Sequence, residues 1–240
     1  MSKQEEEEAS VPWALKRPRG VGRLLAQTGL HCYNLHRGRN LQFLGVKRSG
    51  ISGRVTRDII LEAEDPISNS TCSLDTAIWY MNQPDYSATP PKGRMELVVT
   101  RCLLDKEVLC SETLHLDDFY RRRMPNWMPE DALTGSDKPQ YYEMKESDVE
   151  QDKQWLHLYA QLALLSLRFY PEHEKAEPVE LTKIVVQTKE DVESKNKARA
   201  KNAIFYLSFK CTGGQDYKAI VRRTTRQWPE TMSLEVQSFK

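Results

Sequence analysis

The sequence lacks the features that mark exported, membrane-spanning or nucleic-acid-binding proteins. None of its apolar runs approaches the roughly 20 residues that a helix needs to cross a bilayer. The start, MSKQEEEEAS, is acidic and has no apolar segment, so it is not a secretory signal. A net charge of +1 gives no overall attraction to nucleic acid or membrane. We therefore expect a cytoplasmic or nuclear protein that has no secretion signal and no membrane partner, and nucleic acid is not the expected partner either.

Cysteine is scarce and is not arranged for disulfide or metal chemistry. The five cysteines stand at positions 32, 72, 102, 110 and 211, and no two have the CxxC spacing. An odd number without an export signal favours reduced thiols. The sequence also lacks the GxxxxGK pattern of a phosphate-binding loop. These absences exclude a disulfide framework, a zinc ribbon and a P-loop enzyme.

The second half of the chain has a clear order of one helix and four strands. Residues 155–170 place apolar side chains at helical spacing, which predicts an amphipathic helix. Four segments then alternate and are rich in branched or aromatic residues, which is typical of strands. They cover residues 178–188, 202–210, 216–224 and 232–239. One helix followed by four antiparallel strands indicates an α+β unit with the helix across the sheet.

The first half resembles the second after a shift of 137 positions. Tyr33 then matches Tyr170, and His36 matches His173. Strands are predicted at residues 40–47, 56–65, 73–80 and 94–104. The sequence therefore predicts a duplicated helix-plus-sheet unit. The predicted ranges are a disordered tail (1–20), a first unit (21–110), an irregular connector rich in proline and acids (111–150) and a second unit (151–240).

One stretch, GLHCYNLHRGRNLQF at residues 29–43, does gather metal-ligand side chains. The shift places Cys32 at an apolar helix position and His31 at a solvent-facing one, so the two do not converge on one ion. His36 falls just past the helix end, where a positive charge favours the helix dipole. A metal or nucleophile site is the alternative interpretation. The preferred one predicts no catalytic, cofactor-binding or metal-ligating residue, and therefore no enzyme.

Two basic clusters and one tryptophan have more than one interpretation. The clusters are residues 121–123 and the group Arg222, Arg223 and Arg226. We expect them to be a solvated face, and contact with nucleic acid is the alternative. Trp127 is an apolar residue within the polar connector. It is expected to hold the connector on a domain, or else to belong to a partner site.

Residues 44–65, LGVKRSGISGRVTRDIILEAED, are similar to the central hairpin of cystatins, and Trp228-Pro229 resembles a cystatin closing hairpin. The resemblance implies an α+β fold of two cystatin-like units, each a helix packed across an antiparallel β-sheet. Cystatins insert such hairpin loops into the cleft of papain-type cysteine proteases. It thus implies a protease inhibitor as the alternative function. The implied protein-binding loops contain Ser49, Gly50, Ile51, Ser52, Gly53, Trp228 and Pro229.

A second resemblance covers the chain from about residue 24 to the end. The segments LLAQTGLHCYNLHRGRNLQF and SNSTCSLDTAIWY and the closing block resemble a crucifer-restricted plant family without assigned biochemical function. This is the male-sterility-five family, so called after a member linked to male fertility. The resemblance implies a plant protein with no catalysis. The preferred function is accordingly a non-enzymatic protein-interaction module in reproductive development, with a papain-like cysteine protease as the alternative partner.

Overall fold

The first half of the chain contains one long helix and four strands. The structure, a computed structural model, describes residues 20–52, 55–89, 92–104, 107, 116–135, 140–167, 178–211, 214–225 and 231–239. In order, these elements are α1 (Val21–Arg37), β1 (Gln42–Ser52), β2 (Thr56–Asp65), β3 (Ser70–Asp85) and β4 (Lys92–Leu104). The predicted tail lies outside the described residues except for Gly20.

The described residues of the second half form five strands and a second long helix. Its elements are α2 (Asp118–Arg121), β5 (Tyr141–Glu143), α3 (Glu146–Ser166), β6 (Val179–Gln187), a 3-10 helix (Ser194–Arg199), β7 (Ala203–Cys211), β8 (Asp216–Thr224) and β9 (Met232–Phe239). The strands β6 to β9 lie where alternation predicted them. Helix α3 begins within the range predicted to be an irregular connector, and so does β5. The other predicted domain limits stay predictions.

The nine strands of the described residues form one antiparallel sheet, in the order β1-β2-β3-β4-β9-β8-β7-β6-β5. The prediction of two cystatin-like units, each with a sheet of its own, is therefore wrong. The join lies between β4 and β9, which pair from Lys92 opposite Phe239 to Val99 opposite Met232. The physical reason is that each strand would otherwise expose a row of unpaired backbone groups, and pairing the two edges satisfies both. Strand patterns reveal which residues form strands, but not which strands pair.

Both long helices lie against the sheet and against each other, and they enclose the main core. Leu25 of α1, Leu162 of α3 and Leu97 and Leu234 of the joined strands are fully buried. Helix α1 comes very close to β3, because a Cβ atom at Gly29 would lie 2.5 Å from the Thr76 Oγ1 atom. The helix ends at Gly38, whose φ of 60° is the left-handed conformation that glycine adopts easily.

Residues 116–135 cover the opposite face of the sheet in the second half. Tyr120 packs there in a cluster with Ile204 and Tyr206. The ring of Trp127 meets the ring of Tyr206 edge-to-face, with 5.7 Å between centroids. These contacts agree with the first interpretation of Trp127, which is to hold this segment on the sheet.

Candidate functional site

A cleft of about 460 Å³ opens between the C-terminal half of α1 and the N-terminal half of α3. The 3-10 helix and the start of β1 complete its walls. Clefts of this size hold small ligands or a few side chains of a partner. We call it the helix cleft, and it is lined by Gln27, Leu30, His31, Asn34, Leu35, Gly38, Arg39, Asn40, Phe43, Gln151, Asp152, Gln154, Trp155, Leu158, Ala198, Arg199 and Arg223.

Arg223, on β8, is the most unusual residue of the helix cleft because its long charged side chain is 0% exposed. Its Nη2 atom donates to the backbone carbonyls of Ala198 and Ala200, at 2.7 and 2.6 Å. The guanidinium carbon lies 4.9 Å from the ring centroid of Phe205 and 5.4 Å from that of Trp155. Two aromatic faces and the end of the 3-10 helix therefore hold the guanidinium in place.

The charge of Arg223 has no counter-ion among the described residues. No carboxylate in that part of the chain forms an ion pair with it, and its Nε–H group is buried without an acceptor. Removing a charge from water costs several kcal/mol, by order of magnitude, unless an opposite charge compensates. The side chain that lines the helix cleft is thus an uncompensated cation.

His31 lies beside this arginine and is neutral. Its Nε2 atom is 2.9 Å from the Tyr159 hydroxyl on α3 and 3.4 Å from Nη1 of Arg223, which is itself 3.1 Å from the same hydroxyl. Burial, followed by the charge of Arg223, holds the pKa of His31 well below its usual value. Because a guanidinium only donates, Nε2 is the acceptor atom of the neutral ring.

Three sequence-based expectations need correction at this site. His31 was expected to face solvent, but α3 covers that side of α1 and leaves it only 8% exposed. Arg222 and Arg223 were expected on a solvated face, and both are buried. Arg222 is compensated, since its Nη2 atom lies 2.7 Å from each carboxylate oxygen of Glu235. The sequence did contain a sign that Arg223 is buried. Ala219, Val221 and Arg223 are two positions apart on β8, so all three lie on the face of the strand that meets the core.

The structure agrees with the interpretation of Cys32 and corrects that of His36. Cys32 is fully buried, which confirms its interpretation as a core residue. His36 was expected to be a positive helix-end group, but burial lowers its pKa to about 4. Its Nε2 atom lies 3.2 Å from the Thr231 carbonyl oxygen. The ring is neutral at pH 7, so its contribution is a hydrogen bond rather than a charge.

The rim of the helix cleft is also basic. Arg39 is largely exposed and lies 3.9 Å from Asp65, and Arg199 donates to Asp152 at 3.0 Å. The lining contains three arginines and one aspartate, and most of its other polar groups are side-chain amides. Since His31 is neutral, the arrangement favours a ligand that carries negative charge.

The predicted protein-binding loops lie elsewhere. Ser49, Gly50, Ile51 and Ser52 end the edge strand β1, while Gly53, Trp228 and Pro229 lie outside the described residues. The chain of antiparallel pairings from β1 to β8 makes these two strands run in opposite directions. The described ends of the two strands, Ser52 and Thr224, therefore lie at opposite ends of the sheet. Ser49, Gly50, Ile51 and Ser52 do not line the helix cleft.

Other kinds of site are not found in the described part of the chain. No three histidine, cysteine, aspartate or glutamate side chains gather there in a way that could hold a metal ion. Among the same residues, no helix combines the length and apolarity needed to cross a membrane. A second concave surface, near residues 121–123, contains Lys92 and Arg94. Its six basic residues outnumber its three acids, and Arg94 lies 4.0 Å from Glu235.

Comparisons with known proteins find sequence relatives and one similar crystal structure. The family model described as Protein MS5 matches residues 124–234. UPF0725 protein At2g20620 of Arabidopsis thaliana is 36% identical, over 90% of this chain and 75% of that protein. UPF0725 protein At4g29550 of the same plant is 31% identical, over 88% and 62%. The crystal structure of MS5 from Brassica napus superposes with a TM-score of 0.67 at 22% identity, covering 90% of this chain and 95% of that one.

Proposed function

The chain belongs to the plant MS5 (UPF0725) family, and we propose that it is a non-enzymatic protein-interaction module whose helix cleft binds an acidic segment of a partner protein. The observation that carries the proposal is the uncompensated charge of Arg223 in the wall of an open cleft. Reproductive development stays the proposed process and rests on the family resemblance alone.

The states of the titratable groups support binding rather than catalysis. A general base needs a pKa near the working pH and a free acceptor atom. The pKa of His31 is far lower, and its Nε2 atom already meets a hydroxyl and a guanidinium. Burial raises the pKa of Cys102 to about 12, so its thiolate is scarce at pH 7. The Asp152 carboxylate already accepts a hydrogen bond from Arg199, so it is not a free general base.

The charge balance supports an acidic partner. The net charge of the whole chain is only +1, yet three arginines and one aspartate surround the helix cleft. The lining of the helix cleft therefore carries an excess of positive charge. Such a surface speeds encounter with acidic segments and selects against basic ones.

The geometry gives no comparable support to the protease-inhibitor alternative. A cystatin-type inhibitor presents neighbouring loops to one cleft, whereas the described ends of β1 and β8, Ser52 and Thr224, lie at opposite ends of this sheet. We therefore favour the acidic partner over the papain-like protease.

A panel of three synthetic peptides tests the proposal. The first alternates acidic and apolar residues, the second replaces each acid by its amide, and the third replaces each acid by lysine. We expect the acidic peptide to bind, measured by fluorescence anisotropy, and the other two to bind at least about tenfold more weakly, a difference of about 1.4 kcal/mol. The affinity of the acidic peptide should fall as salt is added. Equal binding of the acid and amide peptides, or no binding of either, would contradict the proposal.

A further inference from the structure

We infer that the second concave surface binds a phosphorylated serine or threonine side chain of a partner protein. The surface has a volume of about 550 Å³. One side of it is formed by the segment at residues 116–135, and the other by residues of β3, β4 and β9. This site is separate from the helix cleft, so the inference goes beyond the proposed function and does not depend on it.

The lining of this surface carries more positive charge than the whole chain. Six basic and three acidic side chains give it a net charge of +3, whereas the chain of 240 residues has +1. Two of the acids already have partners. Glu235 accepts from Arg222, and Asp85 accepts from the hydroxyl and the backbone N–H of Ser87. The surface therefore favours a ligand that is negatively charged.

The side chains of Arg122 and Arg123 are available to such a ligand. Both are exposed, and neither forms an ion pair or a side-chain hydrogen bond within the described part of the chain. Lys92, on β4, is also exposed and forms no ion pair with any described residue. Arg94 is 63% exposed and lies 4.0 Å from a carboxylate, Glu235, that Arg222 already binds. Basic groups from the segment and from the sheet thus remain free to bind one anion.

A buried arginine fixes the backbone of the basic segment on the sheet. Arg222 is 5% exposed, and Glu235 compensates its charge. Its Nη1 atom donates to the Arg122 carbonyl oxygen at 2.6 Å. Two positions earlier, the Tyr120 hydroxyl donates to the Asn202 carbonyl oxygen at 2.9 Å. The backbone that carries the exposed arginines is therefore in place before a ligand binds, so only their side chains lose conformational freedom on binding.

The basic groups fit a phosphate monoester better than a carboxylate. A phosphorylated side chain carries about two negative charges at neutral pH and three acceptor oxygens. Guanidinium groups bind such oxygens in pairs, and a lysine binds them as a point charge. Arg122 and Arg123 on one side of the surface and Lys92 on the other can therefore bind different oxygens of one phosphate group. A carboxylate offers only two oxygens and a single charge.

The other lining residues favour a protein segment over nucleic acid. Among the described residues that form the surface, none is aromatic, so it has no ring on which a base could stack. Asp85 and Glu96 would repel the further phosphates of a nucleic acid strand. Asn126 and Gln237 present amide groups, which can pair with a peptide backbone. One phosphate on a peptide satisfies these conditions.

Isothermal titration of the full chain with the peptide N-acetyl-Gly-Ala-pSer-Ala-Gly-amide, where pSer is phosphoserine, tests the inference. The controls are the same peptide with serine or with aspartate at the central position, sodium phosphate, and a short single-stranded oligouridine. The test variant combines Arg122→Gln with Arg123→Gln. Its matched control combines Arg48→Gln with Lys210→Gln, which removes the same charge at two exposed positions outside the surface. Circular dichroism checks that both variants are folded.

We expect the phosphoserine peptide to bind, and the serine and aspartate peptides to bind at least about tenfold more weakly. The variant at positions 122 and 123 should lower the affinity for the phosphoserine peptide about tenfold or more, and the control variant about threefold or less. No binding of the phosphoserine peptide at millimolar concentration would overturn the inference, and so would equal losses in the two variants. Equal or tighter binding of sodium phosphate or oligouridine would show that the ligand is not a phosphorylated protein segment.

Discussion

The Nε2 atom of His31 lies 2.9 Å from the hydroxyl oxygen of Tyr159 and so joins α1 to α3 across 128 positions of sequence. Both groups also contact Nη1 of the buried Arg223. The two helices and the sheet are therefore connected by one buried polar cluster. Hydrogen bonds of this kind help to fix how the helices pack on the sheet.

Arg223→Met should destabilise the protein by about 1 kcal/mol or more, because the carbonyls of Ala198 and Ala200 would lose their donor, at a cost only partly offset by removal of the uncompensated charge. Urea unfolding followed by circular dichroism measures the change. Arg94→Met is the matched control, since the Arg94 side chain is 63% exposed, and it should cost about 0.5 kcal/mol or less. Similar losses in the two variants would contradict the structural role of Arg223.

Stability should fall as the pH drops from about 6.5 to about 4, and His36 should contribute to this loss. Burial lowers the folded-state pKa of His36 to about 4 from the ordinary 6.5. Between these values the unfolded chain binds the proton and the folded chain does not, so the contribution is complete above pH 6.5 and is lost on acidification. NMR titration of the His36 ring should give this low pKa, and His36→Asn should reduce the difference in stability between pH 7 and pH 5. A pKa of 6.5 or above would contradict the account.

Gly29→Ala should destabilise the protein although alanine is the better helix former. The new Cβ atom would lie 2.5 Å from Thr76 Oγ1 and 2.9 Å from Thr76 Cβ. Forcing α1 away from β3 should cost about 1–3 kcal/mol, as overpacked cores do. Thermal unfolding compares this variant with Gly45→Ala, where no atom lies within 4 Å of the added carbon. An unchanged or higher melting temperature for Gly29→Ala would show that the helix is not so close to β3.

Tyr120→Phe should loosen the segment at residues 116–135. The Tyr120 hydroxyl donates to the Asn202 carbonyl at 2.9 Å and accepts from the Lys189 backbone N–H at 2.9 Å. Its loss should cost about 1–2 kcal/mol and should speed proteolytic cleavage within the segment. Tyr80→Phe is the control, because Tyr80 is half-buried on β3 without such a bond. Equal cleavage rates for the two variants would rule out a fastening role for this hydroxyl.

Local patterns predicted the strands well because alternation has one physical cause, a sheet with unlike faces. The predicted segments 216–224 and 232–239 coincide with β8 and β9. The start of α3 was missed because residues 146–154 are mostly polar. The Asp148 side chain, which accepts from the Lys145 backbone N–H, helps to begin the helix there.

Long-range relationships were not accessible from the same patterns. The pairing of β4 with β9 depends on two edges meeting in space, and the burial of His31 depends on α3 covering α1. Arg223 was noticed only as part of a basic cluster. Its position on the core side of β8, in step with Ala219 and Val221, was the local sign of a buried charge.

Charge reversal at the rim tests most directly whether the helix cleft is the binding site. Arg39→Glu and Arg94→Glu change the net charge equally, and both side chains are largely exposed, at 59% and 63%. Only Arg39 lies in the helix cleft. Isothermal titration with the acidic peptide should show about a tenfold or greater loss of affinity for Arg39→Glu and a much smaller loss for Arg94→Glu. Equal losses in the two variants, or an unchanged affinity for Arg39→Glu, would contradict the assignment of the binding site to the helix cleft.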